Sequence, residues 1–353
     1  MRICTIIGAR PQFVKASVVS RAIADTGIDE VLVHTGQHYD PSMSKVFFDQ
    51  LGIKAPDVNL DVRSGSHAVQ TGAMMLSLER FVDETGPYDW MLVYGDTNST
   101  IAGALVAAKC GLPIAHVEAG LRSFNRRMPE EINRIVTDSL SSLLFAPTET
   151  AVSHLQREGV HGEVILSGDV MFDATVYYAD LSSRSPDVSR LLSKLPDTFA
   201  VATVHRAENT DDSRRLDQIL RAFADSNRVV VFPAHPRTRK LLKPDMLAPN
   251  VILLEPVGYL EMLALVRAAE LVFTDSGGLQ KEAYWLSTPC ITLREETEWV
   301  ETLANGWNQL AGYTTEGILA CLTNLPATGT ERPTFGMPSR GLASQVIADS
   351  LLG

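Results

Sequence analysis

The chain alternates short apolar runs with longer amphipathic stretches over most of its 353 residues. The apolar runs have the length of buried strands, and the intervening stretches have the periodicity of surface helices. A strand, a helix and a second strand in that order pack as a parallel sheet covered by helices. The alternation therefore predicts an α/β fold, and its presence in both halves predicts two doubly wound, Rossmann-like domains that face a cleft.

The predicted strands form one set in each half of the chain. In the first half they are Ile3–Ile7, Val31–His34, Trp90–Tyr94, Pro113–Val117 and Glu163–Leu166, with helices such as Ser66–Glu84 and Thr97–Cys110 between them. In the second half they are Phe199–Thr203, Arg228–Phe232, Val251–Leu254, Leu271–Thr274 and Cys290–Thr292. The stretch Ser182–Pro196 is expected to be the least structured, and Ser182–Pro186 within it is interpreted as a linker, which places the domain boundary near residues 170–185.

The overall charge restricts the partners. Lys and Arg number 31 against 42 Asp and Glu, a formal net charge of −11, which argues against nucleic acid and against an anionic membrane surface. No apolar run approaches the roughly 18 residues of a membrane-spanning helix, and we expect no signal peptide. The four cysteines form no CxxC pair, so we expect free thiols and a cytoplasmic protein.

Charged side chains accumulate directly after the predicted strands, where open α/β sheets bind their ligands. They are the carboxylates Asp96, Glu118 and Glu130, the histidines His205 and His235, and the cations Arg10 and Lys15. Each has an ordinary alternative, since Asp96 or Glu130 can serve a helix start and His205 can be a core histidine. Their accumulation in both domains favours a catalytic site. We expect no metal, because HxH and HExxH spacings are absent.

A glycine-rich junction follows the predicted strand Leu271–Thr274. Ser276, Gly277 and Gly278 open a helix there, and glycines let backbone N–H groups approach an anion at a helix N-terminus. Glu282, on a following turn, is placed to accept hydrogen bonds from ribose hydroxyls. The alternative is an ordinary strand-to-helix turn, because a single glycine-rich junction is a weak signal.

Taken together, these motifs resemble the non-hydrolysing UDP-N-acetylglucosamine 2-epimerases. The matching segments are Gly8-Ala9-Arg10-Pro11, Lys15, Gly36-Gln37-His38, Gly95-Asp96-Thr97, His116-Val117-Glu118-Ala119-Gly120-Leu121-Arg122, Pro129-Glu130-Glu131-Ile132-Asn133-Arg134, His205-Arg206, His235-Pro236 and Asp275-Ser276-Gly277-Gly278. The resemblance implies a glycosyltransferase-B-like fold with the active site in the interdomain cleft. It also implies a C-terminal helix that crosses back to the first domain, and a homodimer.

Within that fold we expect residues 1–175 and the C-terminal helix 340–353 to form a first domain with the catalytic carboxylates. Residues 176–339 are expected to form a second, UDP-binding domain. The resemblance implies catalytic roles for Asp96, Glu118, Glu130 and His205. It implies contacts to the UDP-sugar for Arg10, Lys15, His235, Ser276, Gly277, Gly278 and Glu282.

The implied reaction is epimerisation at C2 of a UDP-N-acetylhexosamine, which feeds surface polysaccharides such as O-antigen. The C2 hydrogen is not adjacent to a carbonyl, so the family expels UDP from C1 and removes the C2 proton, giving a 2-acetamidoglucal. UDP then adds back and a proton returns to the other face. Several carboxylates suit proton transfer at two faces, and cations at a helix start suit the leaving diphosphate. No cofactor is expected, because there is no net redox change.

Three departures from the family pattern concern substrate and regulation. Trp299 stands where the common enzymes carry an arginine, and Gln37-His38-Tyr39-Asp40 departs from the Gln-His-Arg of an activator site. The segment Phe335–Gly341 departs from the usual glycine-rich entry to the last helix. The segments Trp299–Glu301 and Val204–Asp212 resemble more closely a branch that acts on UDP-2,3-diacetamido-2,3-dideoxy-glucuronate.

Several alternatives stay open at this point. The substrate is either that uronate or plain UDP-N-acetylglucosamine, and a hydrolysing epimerase that releases UDP is a further possibility. A glycosyltransferase of the same fold would need no trio of carboxylates around C2. A sugar-nucleotide-binding regulator would be expected to lose the carboxylates and keep the phosphate cradle. The presence of Asp96, Glu118 and Glu130 therefore favours an epimerase.

Overall fold

The computed structural model describes residues 1–36, 52, 54–243, 246–327, 330–332, 334–337 and 341–353. The chain divides into two compact units. Unit 1 contains Met1–Ala174 and Phe335–Gly353, and unit 2 contains Thr175–Thr334. A search of these residues finds no helix that is both long enough and apolar enough to span a bilayer.

Unit 1 is built on a parallel sheet whose described strands have the order β3-β2-β1-β4-β5-β6-β7. They are β1 (Arg2–Ile7), β2 (Asp29–His34), β3 (Val58–Asn59), β4 (Trp90–Tyr94), β5 (Ile114–Val117), β6 (Leu143–Ala146) and β7 (Glu163–Leu166). The pairing is parallel throughout. Strands β2 and β3 lie on one side of β1, and β4 to β7 lie on the other. The crevice between the ends of β1 and β4 is therefore the topological switch point, where such sheets bind ligands.

Unit 2 repeats this design with described strands in the order β10-β9-β8-β11-β12-β13. They are β8 (Ala200–Thr203), β9 (Val230–Pro233), β10 (Val251–Leu254), β11 (Leu271–Thr274), β12 (Cys290–Thr292) and β13 (Asn308–Leu310). All are paired in parallel, and the switch point lies between β8 and β11. The prediction of two doubly wound α/β domains is confirmed. Three short strands, β3, β6 and β13, were not predicted.

Helices follow the strands in both units. In unit 1 they are α1 (Arg10–Ala24), α2 (His67–Thr85), α3 (Asn98–Cys110), α4 (Pro129–Leu140) and α5 (Glu149–Glu158). Next come α6 (Val170–Ser183), α7 (Pro186–Leu192), α8 (Ala207–Thr210), α9 (Ser213–Asp225), α10 (Pro236–Arg239), α11 (Tyr259–Ala268) and α12 (Gly277–Trp285). The 3₁₀ segment Val300–Gly306, α13 (Thr315–Leu322) and α14 (Ala343–Leu352) complete the described elements. The division between the units falls within α6.

The interpretation of Ser182–Pro186 as a linker within a poorly structured stretch is wrong. Helix α6 continues to Ser183, and α7 begins only three residues later at Pro186. The Oγ of Ser185 accepts a hydrogen bond from the backbone N–H of Val188, and Pro186 takes the first helical position, where its missing N–H is harmless. Serine and proline here are therefore helix-start residues.

The C-terminal helix belongs to unit 1. Helix α14 packs against α1, and its first turn is held by Asp173 of α6. The Oδ2 of Asp173 accepts hydrogen bonds of 2.8 Å from both the backbone N–H and the hydroxyl of Ser344. This side chain supplies the cap that the first turn of α14 needs, because Leu342 at the cap position offers no acceptor. The expected return of the last helix to the first domain is thus present.

Candidate active site

In unit 1 the switch point is bordered by the turns that follow β1 and β4. Gln12 ties these turns together from the first turn of α1. Its Oε1 accepts hydrogen bonds from the backbone N–H groups of Gly8 and Ala9, at 2.8 and 3.0 Å. Its Nε2 donates to the carbonyl oxygen of Tyr94 at 2.9 Å. The two strand ends on either side of the crevice are consequently held at a fixed separation.

Lys15 and Glu118 form a buried salt bridge at this crevice. The two side chains come from α1 and from the end of β5, and the residues are only 8% and 7% exposed. Gly95 lies beside this pair and has φ +61°. A Cβ added to Gly95 would approach Lys15 Nζ to 3.2 Å and Glu118 Oε2 to 3.3 Å. The Glu118 carboxylate therefore lies against the turn that carries Asp96. Glu118 itself has φ +70°, a strained conformation of the kind found at functional sites.

Asp96 is held by the guanidinium of Arg134 from α4. Arg134 Nε and Nη2 lie 2.9 and 2.7 Å from Asp96 Oδ2, and Asn133 Nδ2 donates to the Asp96 carbonyl oxygen at 2.8 Å. The Asp96 side chain remains 29% exposed, so a ligand can still reach its carboxylate. The unit thus places two of the three expected catalytic carboxylates, Asp96 and Glu118, around one turn.

The neighbouring acids of α4 differ in their surroundings. Glu131 is buried and accepts hydrogen bonds from the backbone N–H groups of Ser123 and Phe124, at 2.9 and 2.8 Å, and from Arg134 at 2.6 Å. Burial opposes ionisation of Glu131, but these donors outweigh it and hold its pKa below the usual value. Glu130 is half-buried in the first turn of α4, where the helix dipole favours a carboxylate.

In unit 2 the switch point is occupied by Asp275, which is fully buried after β11. Its carboxylate accepts hydrogen bonds from the backbone N–H of His205 at 3.0 and 3.1 Å and from that of Arg206 at 2.9 Å. His205 Nδ1 lies 3.1 Å from Asp275 Oδ1, and the imidazole remains 40% exposed. Burial raises the pKa of Asp275, but the bonds from His205 and Arg206 outweigh it and lower the pKa below its usual value. Asp275 therefore fixes the position of a half-exposed imidazole.

The expected phosphate cradle forms the start of α12. Ser276 caps the helix, since its Oγ accepts from the backbone N–H of Leu279 at 3.3 Å. Gly277 and Gly278 occupy the first helical positions and are partly exposed. A Cβ on Gly277 would lie 2.5 Å from Glu298 Oε1, so any larger residue here would displace the Glu298 side chain. Gly277 therefore leaves room for the Glu298 carboxylate at the start of the helix.

Glu282 and Lys281 lie further along α12 and are both buried. Burial raises the pKa of Glu282 to about 7, although a hydrogen bond with Tyr259 and the charge of Lys281 act in the opposite direction. The Lys281 Nζ lies 3.5 Å from the ring centroid of Trp299, a cation–π contact, and Trp299 is 4% exposed. The residue that replaces the family's arginine thus packs inside unit 2.

The remaining candidates are placed less completely. His235 is exposed at the start of α10, its ring centroid is 6.0 Å from that of His205, and its Nδ1 accepts from the backbone N–H of Arg237 at 3.3 Å. Arg10 begins α1, but its side chain lies outside the described residues, as do Gln37-His38-Tyr39-Asp40. The described part of the chain contains no group of three or more His, Cys, Asp or Glu residues that could hold a metal ion.

The family is decided by comparison with known proteins. The family model described as UDP-N-acetylglucosamine 2-epimerase matches residues 21–351, nearly the whole chain. The chain belongs to the UDP-N-acetylglucosamine 2-epimerase family. The resemblance inferred from the motifs is thereby confirmed.

Relatives in this epimerase family match over almost their full length. A UDP-N-acetylglucosamine 2-epimerase homolog of Methanococcus maripaludis is 49% identical, covering 95% of this chain and 96% of the relative. The UDP-2,3-diacetamido-2,3-dideoxy-D-glucuronate 2-epimerase of Pseudomonas aeruginosa is also 49% identical, with 90% of each chain covered. The UDP-GlcNAc 2-epimerase of Methanocaldococcus jannaschii, solved with UDP-GlcNAc and UDP, is 40% identical with a TM-score of 0.91, covering 100% and 99% of the two chains.

In this epimerase-family chain, the residues that bond to Asp96 and His205 were given no role on the basis of the sequence. Arg134 and Asp275 were present in the matched motifs, but no role was assigned to either. Asp138 was not singled out at all, although it is fully buried and bonded to His116. A sequence signal existed, because Glu131, Arg134 and Asp138 recur at spacings of three and four residues and therefore share one face of α4.

Proposed function

We propose that the protein is a non-hydrolysing 2-epimerase of a UDP-N-acetylated hexosamine. The observation that carries the proposal is the turn after β4, where Asp96 directly follows Gly95, whose Cβ position lies 3.3 Å from Glu118 Oε2, in a chain of the epimerase family. Each carboxylate is paired with a cation of the same unit, Arg134 or Lys15. Proton removal and return at one carbon atom needs two such groups within reach of it.

The proposed reaction has two half-steps that mirror each other. In the first, the bond between C1 and the β-phosphate oxygen breaks, its electron pair leaves with UDP, and a carboxylate takes the C2 proton. The electrons of the C2–H bond form the C1=C2 double bond of a 2-acetamidoglucal. In the second, UDP attacks C1 and a proton is delivered to the opposite face of C2. Atoms and charge balance without an oxidant, a reductant or a metal.

We assign the residues accordingly. Asp96, Glu118 and Glu130 exchange protons with C2, and His205 stabilises the leaving diphosphate. Arg10, Lys15 and the N–H groups of Ser276, Gly277 and Gly278 bind the phosphates, with Glu282 at the ribose and His235 beside the UDP-sugar. The support is electrostatic, because a helix N-terminus and a histidine held by a buried aspartate suit a developing negative charge.

The test is incubation of the protein with a UDP-sugar in deuterated water. We expect deuterium at C2 of the recovered UDP-sugar and a mixture of the gluco and manno epimers, both detected by NMR. Turnover with full retention of hydrogen at C2 would refute proton exchange. Accumulation of free UDP and free N-acetylmannosamine would show a hydrolysing enzyme, and transfer of the sugar to an acceptor would show a glycosyltransferase.

The proposed substrate is the 2,3-diacetamido-uronate, with plain UDP-N-acetylglucosamine as the alternative. Its carboxylate needs a cation, and Arg122 is already paired with Asp138 and Glu158. The remaining candidates near the matched segments are Arg126, Arg127 and Arg206. Comparison of kcat/KM for the two UDP-sugars tests the choice. A preference of about tenfold or more for plain UDP-N-acetylglucosamine, roughly 1.4 kcal/mol in transition-state binding, would reject the uronate.

We further propose a homodimer that functions in the reducing cytoplasm. Free thiols of the four cysteines support the compartment, and the exposed apolar side chains of Val69 and Leu76 on α2 offer a surface for a second copy. Light scattering during size-exclusion chromatography tests the dimer. A mass of one chain at micromolar concentration would contradict it.

A further inference from the structure

A fully buried histidine, His116, lies on β5 directly beneath the candidate carboxylates. Its Nδ1 is 2.7 Å from Asp138 Oδ1 and its Nε2 is 2.8 Å from the carbonyl oxygen of Gly95. Both partners are also buried, so water does not compete for either ring nitrogen. The protonation of this ring is consequently set by the chemistry of its two partners.

Both partners of the ring are acceptors. A backbone carbonyl oxygen cannot donate a proton, so Nε2 carries a hydrogen and donates it to Gly95. The other oxygen of Asp138 lies 2.7 Å from Arg122 Nη2 and accepts from the backbone N–H of Gly120 at 3.2 Å. These donors favour the ionised carboxylate, which leaves Nδ1 as the donor of the remaining bond. Two donors on one imidazole mean an imidazolium.

The surrounding charges favour the same protonation state. The salt bridges around the turn involve five carboxylates, those of Asp96, Glu118, Glu131, Asp138 and Glu158. Only three permanent cations face them in these salt bridges, the side chains of Lys15, Arg122 and Arg134. A charged His116 adds a fourth cation within a buried environment, where an uncompensated carboxylate is costly.

The position of the ring connects it to the proposed chemistry. Its Nε2 holds the carbonyl of Gly95, the residue before Asp96, and its own strand ends at Val117, directly before Glu118. Asp138 holds the ring from α4, the helix that also carries Arg134. One buried side chain thus links the ends of two strands and one helix, all of which position the candidate carboxylates.

We propose that His116 is a positioning residue, an imidazolium that donates from Nδ1 to Asp138 and from Nε2 to Gly95 and so fixes the turn at Gly95 and Asp96 against Glu118. The charge state stands on the geometry of unit 1 alone. The effect on turnover rests on the proposed epimerase function. Two separate measurements therefore test the two parts.

The charge state is tested by NMR of the protein with ¹⁵N-labelled histidine at pH 7, with His116→Gln to assign the signals. We expect two protonated ring nitrogens with imidazolium shifts, and loss of the second proton in Asp138→Asn. A ring with one bare nitrogen in the wild-type protein would overturn the proposal. This measurement does not depend on activity.

The positioning role is tested by steady-state kinetics and UDP calorimetry. In His116→Gln we expect kcat to fall roughly 10- to 100-fold, because a small displacement of an acid or base is costly. The dissociation constant of UDP should stay within about twofold, since both ring nitrogens of His116 are bonded to groups of unit 1 and the ring is fully buried there. The matched control is His161→Gln, an exposed histidine of the same unit. Unchanged kcat in a folded His116→Gln would overturn the role, whereas an inactive wild-type protein would refute the epimerase function.

Discussion

Replacement of Glu282 by glutamine tests the energetics of the candidate UDP site most directly. Glu282 is 5% exposed on α12, and burial raises its pKa from 4.5 to about 7. Between pH 4.5 and about 7 the Glu282 carboxyl group is mostly protonated in the folded protein, whereas it is mostly ionised in the unfolded chain. Its ionisation therefore destabilises the fold as the pH increases through this interval.

The magnitude follows from the same interval. Each pKa unit corresponds to about 1.4 kcal/mol, so the rise from 4.5 to about 7 costs about 3 kcal/mol once Glu282 is ionised. The cost is absent below pH 4.5 and complete well above pH 7. Between pH 5 and pH 8 the wild-type protein should lose about 2–3 kcal/mol relative to Glu282→Gln. That corresponds to about 5–10 °C in the Tm of a domain of this size.

Thermal unfolding of the wild-type protein, Glu282→Gln and Glu296→Gln at pH 5 and pH 8 provides the assay. Glu296 is an exposed carboxylate of the same unit and controls for the amide substitution. We expect the Glu282→Gln protein to gain stability over wild type as the pH increases, and the control to show no such gain. A difference between wild type and Glu282→Gln that is constant with pH would refute a raised pKa for this carboxyl group.

Three further substitutions test the candidate site. Lys15→Met removes the cation that faces Glu118, and we expect UDP to bind about 1.5–3 kcal/mol more weakly, as measured by calorimetry. An unchanged affinity for UDP would show that Lys15 does not contact the phosphates. Arg134→Gln releases Asp96, so kcat should fall roughly 100-fold while UDP affinity is retained. Asp275→Asn should lower stability by about 1–3 kcal/mol at pH 7. Because the pKa of Asp275 is lower in the folded protein than its usual value of 3.8, ionised Asp275 stabilises the fold above pH 3.8, and this contribution is lost as the pH falls through the folded-state pKa. In thermal scans, the difference in stability between wild type and Asp275→Asn should therefore vanish in strong acid.

The sequence predicted the groups at strand ends well, and the reason is geometric. In a doubly wound sheet every turn at the carboxyl end of a strand lies on the same edge, so position along the chain suffices to group Asp96 with Glu118. Residues that act from the middle of a helix have no such marker. Asp138 contacts His116 across 22 residues of chain, and only the packing of α4 on the sheet brings them together.

The errors in the predicted elements have local causes. Strand β3 is only two residues long, too short for periodicity to separate it from its surroundings. The segment around Ser185 and Pro186 contains the residues of a loop, but the same residues are preferred at a helix start. The two cases differ in tertiary packing, which the sequence does not show. In the structure α7 is anchored by Val188, which is buried.

The packing of Trp299 bears on how a chain without the family's arginine can still bind a diphosphate. The indole Nε1 lies 3.7 Å from the Cβ position of Gly277, so the ring borders the cradle at the start of α12. Lys281 lies 3.5 Å above that ring, within cation–π range. The indole ring of Trp299 therefore contacts both the ammonium group of Lys281 and the position of Gly277. Because Lys281 is 2% exposed, its charge is screened little by solvent and acts on the cradle through the protein interior. Trp299 and the carboxylate of Glu298 thus both border Gly277 at the start of α12, and Lys281 adds a buried positive charge beside the indole ring.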